Sequence, residues 1–302
     1  MSKDTTTTKD DTAAPTEEGN TAPRHELVYF ALRNRKLVIG LSIVGLLGLA
    51  AIVAPFSARS NPDAFVGPPM QPPSSSYLLG TTYFGQDVYS QLVNGLRQSF
   101  LVGIMGGGIA FVVATAVGFT AGYRGGAVDE VLNMLTNVLL VIPTLALLII
   151  VGGYLKGTSI VFEAMFVGAT AWPWAARAIR AQTLSLVSRD FVGLARLSGV
   201  RSWRIVVGEV APNMSSYLFL TFILLFGNAI LISASYDFLG FGPPGGVSLG
   251  NMMNLSFAWN ALQLHIWWWF VPPGVAIMGI VGGLYVTNVG LDEVFNPKLR
   301  SL

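Results

Sequence analysis

Apolar residues gather into six stretches, approximately Leu37–Phe56, Phe100–Ala121, Val131–Val151, Ile160–Ala176, Ser215–Ser235 and Trp268–Val289. A hydrocarbon core about 30 Å thick takes roughly 20 apolar residues as a helix, so each stretch predicts a membrane span. Glu163, near one end of the fourth, is the one charge within them. It reads as interfacial rather than as a proton-relay carboxylate, because a charge at the bilayer centre costs roughly 2.5–3.5 kcal/mol on insertion scales. Gly103, Gly106, Gly107, Gly108 and Gly118 crowd the second stretch and Gly282-Gly283 the sixth; such glycines predict close helix packing. Trp267-Trp268-Trp269 predicts a membrane–water interface, with a sugar-stacking platform as the sharper alternative.

Charge fixes the orientation. Of the 18 Lys and Arg residues, only Arg59, Arg97 and Lys156 fall on one side of the spans and fifteen on the other. Cytoplasmic loops carry that excess, so both termini are expected in the cytoplasm. Only 11% of the residues are charged, against about a quarter in a soluble domain. A net charge of +2 gives no basic surface for nucleic acid, and the absence of cysteine excludes disulfides and thiolate sites. Residues 1–26 are polar and read as a disordered cytoplasmic tail. Residues 27–56 are expected to hold an elbow helix and the first span, with Arg35-Lys36 at the lipid headgroups. Residues 57–99 read as an extracytoplasmic loop and 100–302 as a five-helix core.

The long cytoplasmic connection, 177–214, holds the most specific pattern. Its periodicity predicts two short amphipathic helices, about Ser188–Leu197 and Ser202–Val210, with Phe191, Leu194 and Leu197 on one face. Gly199 suits a left-handed cap between them, and Pro212 is expected to limit the second. From the residues alone, this loop lies on anionic lipid or docks on a cytoplasmic partner.

Gly193-Leu194-Ala195, Gly199 and Pro212-Asn213 resemble the EAA loop of binding-protein-dependent ATP-binding-cassette permeases, with Ala195 alone matching the Glu-Ala-Ala triplet. Other segments extend the resemblance to the dipeptide and oligopeptide permeases: Leu79-Gly80-Thr81, Gly85-Gln86-Asp87, Ala121–Gly126, Val128-Asp129-Glu130, Ile142-Pro143, Phe238–Gly242, Gly250-Asn251-Met252 and Asn296–Arg300. The chain is similar to their C-type subunit from about residue 30 onward.

That resemblance implies an all-α integral membrane protein of six transmembrane helices with the type I importer permease fold, in the cell membrane. It implies a second homologous permease, two cytoplasmic ATPases and an extracytoplasmic binding protein. ATP and Mg would sit on the ATPases; this chain has no Gly-x-x-x-x-Gly-Lys phosphate loop. The coupling role falls on Phe191, Leu194, Ala195, Gly199 and Trp203, with Arg196 and Arg204 facing ATPase carboxylates or serving as plain positive-inside charge. Near the outer end of span five the family's usual Glu is Ser233 here, with Asp237 one turn later; both are substrate-pathway candidates. Short peptides are the expected cargo, and oligosaccharides the alternative. A stand-alone ion-coupled carrier would need intramembrane charges, of which these spans have almost none.

Overall fold

The computed structural model describes residues 30, 32–57, 61–154 and 159–295. The expected tail, most of the elbow and the Asn296–Arg300 segment lie outside the described residues. In chain order the helices are α1 Arg35–Ser57, α2 Val88–Arg124, α3 Gly126–Val141, α4 Thr144–Tyr154, α5 Ile160–Thr170 and α6 Pro173–Val187. The short α7 Asp190–Leu197 and α8 Ser202–Ile205 follow, then α9 Ser215–Phe238, α10 Leu249–Ala258 and α11 Trp267–Phe295. Among the described residues the fold is all-α, with two isolated bridges, Phe65–Gln86 and Thr81–Asp87.

Four of these helices, α1, α2, α9 and α11, are each long and apolar enough to cross a membrane. The expected third span is instead a pair, α3 and α4, bent by 76°. Pro143 sits at this break, where it has no N–H to give and crowds the preceding turn. The expected fourth span also breaks: α5 ends at Thr170 and α6 starts on Pro173, at a first-turn position where a missing N–H costs nothing. Alone, α5 is about 16 Å long, half a bilayer core. Six unbroken spans thus become four, a bent pair and a short apolar helix.

The bundle is organised along α2, whose 37 residues reach about 55 Å. Asp87 caps it, accepting from the Ser90 amide at 3.1 Å. It starts well before Phe100, in what reads from sequence as loop, because the polar Gln91 and Gln98 are buried rather than solvated. Its glycines set the register of its neighbours. A Cβ on Gly106 would meet Ala164, one on Gly118 Ile179 and one on Gly122 Thr183, so α5 and α6 run parallel to α2 in succession. Gly103 faces Ile230 and Gly107 faces Phe226, so α9 runs antiparallel. Among the described residues nothing lies within 4 Å of a Cβ built on Gly108 or Gly282, so packing within this chain does not explain them.

The first and last helices are antiparallel in the same way, Leu37 against Gly290, Gly40 against Thr287 and Leu47 against Gly279. The start of α1 and the end of α11 therefore share a face. There Asn34 Nδ2 donates to Glu293 Oε2 at 2.8 Å and Lys36 pairs with the other oxygen. Lys36 and Asn34 hold the Glu293 carboxyl below its usual range. Lys36 is thus tied to the end of α11, although its side chain stays exposed.

On the opposite face, residues 61–87 fold into a cap over the bundle. Thr81 Oγ1 donates to the Pro68 carbonyl at 2.8 Å, and Trp268 Nε1 donates to the Thr81 carbonyl at 3.1 Å. Gly80, at φ 74°, lies where a Cβ would strike the Trp268 ring. The tryptophan expectation is corrected here: Trp268 and Trp269 are buried and only Trp267 is exposed, because the cap roofs over the bundle just where an interface was expected.

Candidate functional site: the 177–214 loop and its faces

The loop is anchored before it begins. Arg180 forks onto Asp129 of α3, its Nη2 donating to Oδ2 at 2.6 Å, and Arg177 donates to Asn137. The Arg180 hydrogen bonds hold the Asp129 carboxyl below its usual range, and the same bonds push the Arg180 guanidinium up. One turn further, Thr183 packs against Gly122 of α2. The end of α6 thus enters the loop as a fixed post.

From this post α7 departs, and Gly199 ends it. The Gly199 amide returns to the Arg196 carbonyl at 3.0 Å and the Val200 amide to the Ala195 carbonyl at 3.2 Å. Those two bonds with φ 72° at Gly199 make a Schellman motif, the left-handed cap expected from sequence. After α8 the chain widens into a π turn, Val206–Val210. Pro212 does not stop the helix as expected; it sits within the helical turn Ala211–Asn213 that follows. The wide turn accommodates a residue with no N–H, and such turns recur at functional sites.

Burial splits the expected coupling residues into two sets. Phe191 and Ala195 pack with the fully buried Val192 onto the protein's own core. Leu194 and Trp203 point outward and are mostly exposed, as are Leu197, at 87%, and Val207. Phe191 therefore does not share a face with Leu194 and Leu197, because the buried stripe runs through Val192 and Ala195 instead. Arg196 lies over the Tyr123 ring, 4.9 Å from its centre, and Arg204 over Trp203 at 5.3 Å. Both arginines are thus engaged within the chain, Arg196 bridging α7 to the end of α2. Sequence reading missed Asp129, Arg180 and Tyr123, since nothing in their spacing ties them to a loop so far along the chain. Leu197 was readable but was counted only as part of the face.

The pathway candidates sit at the other end of the bundle. Ser233 and Asp237 are both buried on α9, and they face Glu163 of α5. Glu163 is near the end of its helix as expected, but it is 0% exposed. The interfacial reading is corrected: α2 and α9 close over α5 and remove Glu163 from solvent. Among the described residues no three acids or histidines gather to hold a metal.

Comparison with known proteins places this architecture. A family profile described as "Binding-protein-dependent transport system inner membrane component" matches residues 114–301. The chain is 34% identical to the oligopeptide transport system permease protein OppC of Mycobacterium tuberculosis over 274 residues, 90% of this chain and 93% of that one. It is 29% identical to the dipeptide transport system permease protein DppC of Alkalihalophilus pseudofirmus over 297 residues, 97% of each. DppC of Haemophilus influenzae is 29% identical over 92% of this chain and 96% of its own. The chain belongs to this family of binding-protein-dependent transport components: it is a multi-pass membrane permease with the all-α type I fold, and not itself an enzyme.

Proposed function

We propose that this permease imports short peptides, paired with a second homologous permease, fed by an extracytoplasmic binding protein, and driven by two cytoplasmic ATPases that carry the ATP and Mg. The relatives named for oligopeptide and dipeptide transport support the cargo. Burial of Trp268 and Trp269 removes the sugar-stacking platform, one of the supports for oligosaccharide cargo. The fifteen loop-side and terminal cations orient the 177–214 loop and both termini toward the cytoplasm. Span four is α5 continued by the first turns of α6, which follow α2 in one register.

The observation that carries the coupling role is the exposed apolar ridge of Leu194, Leu197, Trp203 and Val207, held off the bundle by a rigid cap. Exposed apolar patches mark docking surfaces. Phe191 and Ala195 fix α7 to the core from behind, so a force on the ridge is passed inward through Val192 rather than lost in a flexible loop. Closure of the ATPases then biases two arrangements of the spans. Gly199 sets the angle between α7 and α8, and Arg196 and Arg204 shape the flanks of the ridge.

Co-expression with the neighbouring genes and purification in mild detergent tests this. The wild type is expected to bring down two ATPases and a second permease, and Leu194→Asp to lose the ATPases while keeping the permease. A chain that purifies alone, with Leu194→Asp unchanged, overturns the coupling reading and leaves the ridge on lipid.

A further inference from the structure

Two carboxylates lie buried on the cap side of the bundle without a hydrogen bond of ordinary length and angle among the described residues: Glu163 of α5, 0% exposed, and Asp237 of α9, 1% exposed. The Ser233 hydroxyl lies near Glu163 and the Ser248 hydroxyl near Asp237, and the two acids are close enough to interact. Among the described residues, neither acid has a Lys or Arg partner. Removing a carboxylate from water without a partner costs several kcal/mol. An ionisable group kept at such cost inside a membrane bundle marks a functional site. The wall around Asp237 is backbone: a Cβ on Gly250 would come within 2.8 Å of the Asp237 Cβ, and one on Gly242 within 3.0 Å of its Cγ.

A second feature adjoins the pair. One helical turn from Glu163 toward the cap, Ile160 lines an open hollow of about 270 Å³ together with Asn94, Arg97, Gln98 and Gly246. Gln98 is 7% exposed, and its Nε2 donor has no partner among the described residues. Arg97 at the rim is exposed. The hollow thus carries unspent donors and a cation at its mouth, with unspent acceptors one turn deeper. This is the complement of a zwitterion. Four carboxylate oxygens and two serine hydroxyls suit the three N–H donors of an ammonium.

We propose that this hollow, with Glu163 and Asp237 buried beyond its lining, receives the α-ammonium end of an incoming peptide, while Arg97 and Gln98 take its carbonyl or carboxylate oxygens. The inference rests on the peptide-import reading and adds to it a receiving site and its chemistry. Burial of the pair closes the site, and the parting of α5 from α9 opens it.

The test uses the intact transporter, this chain with its partner permease, ATPases and binding protein, in proteoliposomes. Uptake of radiolabelled trialanine is compared with that of N-acetyltrialanine, each at concentrations that saturate the binding protein and each expressed relative to wild type. Glu163→Gln and Asp237→Asn are expected to lower trialanine uptake at least tenfold, and Arg97→Ala and Gln98→Ala three- to tenfold. Glu163→Asp retains most of it. N-acetyltrialanine uptake stays within twofold in the acid variants and falls together with that of trialanine in Arg97→Ala and Gln98→Ala, because it keeps the carboxylate. Trialanine uptake within twofold of wild type in both amides overturns the site, and so does an equal loss of both peptides in either amide. Should either amide fail to co-purify with its partners, Arg97→Ala and Gln98→Ala decide instead, uptake of both peptides within twofold of wild type in both variants overturning the site. A fully assembled wild type that takes up neither peptide overturns peptide import itself, and the receiving site with it.

Discussion

Arg180 and Asp129 meet across α6 and α3 in a two-pronged ion pair, with only 26% and 18% of their side chains exposed. Hydrogen bonds to charged groups contribute about 1.5–3 kcal/mol each when partly shielded, so this pair fixes the base of the loop more firmly than a surface ion pair would. Asp129→Asn is expected to lower the melting temperature of the detergent-solubilised chain by a few degrees, at roughly 2–4 °C per kcal/mol for a chain of this size. A reversed pair, Asp129→Arg with Arg180→Asp, is expected to recover part of the loss. A melting curve unchanged in Asp129→Asn would show that the loop base is held by Thr183 and Gly122 alone.

The same pair carries a pH dependence of defined sign. The Asp129 carboxyl is held below its ordinary value in the folded protein, chiefly by the Arg180 hydrogen bonds. Its contribution is therefore complete above the unfolded-state pKa of about 3.9 and is lost as pH falls through the depressed folded value. Acid titration of stability is expected to show a steeper fall below about pH 4 in the wild type than in Asp129→Asn. Parallel curves for the two proteins would refute it.

Much of this was legible from residue order, and the exceptions have physical reasons. The apolar stretches, the glycine packing of Gly103 and Gly118, and the left-handed cap at Gly199 were all readable, because each is a local demand of helix geometry or close approach. What failed was long-range. Gln91 and Gln98 look like loop residues until the cap folds over them. Trp268 and Trp269 look like an interfacial belt until Thr81 accepts the Trp268 indole N–H. Glu163 looks interfacial until α9 brings Asp237 beside it. Phe191 and Leu194 look like one face because a short helix gives too few turns to fix its phase, and only the burial of Val192 does so.

Stability and docking are expected to separate within this loop. Ile205 is 1% exposed, and Ile205→Ala leaves a cavity costing about 2–5 kcal/mol. Leu197 projects into open surroundings, so Leu197→Asp is expected to change the melting temperature by less than about 0.5 kcal/mol's worth. Peptide-stimulated ATP hydrolysis by the assembled complex is expected to follow the opposite order, collapsing in Leu197→Asp and surviving in Ile205→Ala below its melting point. Equal losses in both assays would mean that the ridge is merely structural.

Gly199 separates space from backbone. No atom of the described residues lies within 4 Å of a Cβ built there, yet its φ is 72°. Any cost of a side chain is therefore conformational, roughly 1–2 kcal/mol for an L-residue and at the high end for a β-branched one. Gly199→Val is expected to fray the end of α7 and weaken ATPase co-purification, whereas Gly199→Asn, which tolerates the left-handed region, retains most of it. If Gly199→Asn is as damaging as Gly199→Val, contact with the partner rather than backbone freedom is what the position supplies.

The absence of cysteine gives a direct test of orientation. Single cysteines at Leu197, Tyr77 and Phe257, all exposed or partly exposed, report the loop face, the cap and the end of α10. A membrane-impermeant maleimide applied to intact cells is expected to label Tyr77→Cys and Phe257→Cys but to reach Leu197→Cys only after the membrane is opened. Antiparallel packing of α1 on α11 puts the start of one and the end of the other on the same side as Leu197, so a cysteine at Phe295 should behave like the one at Leu197. Labelling of Leu197→Cys in intact cells would invert the topology and with it every assignment of cap and loop to a side of the membrane.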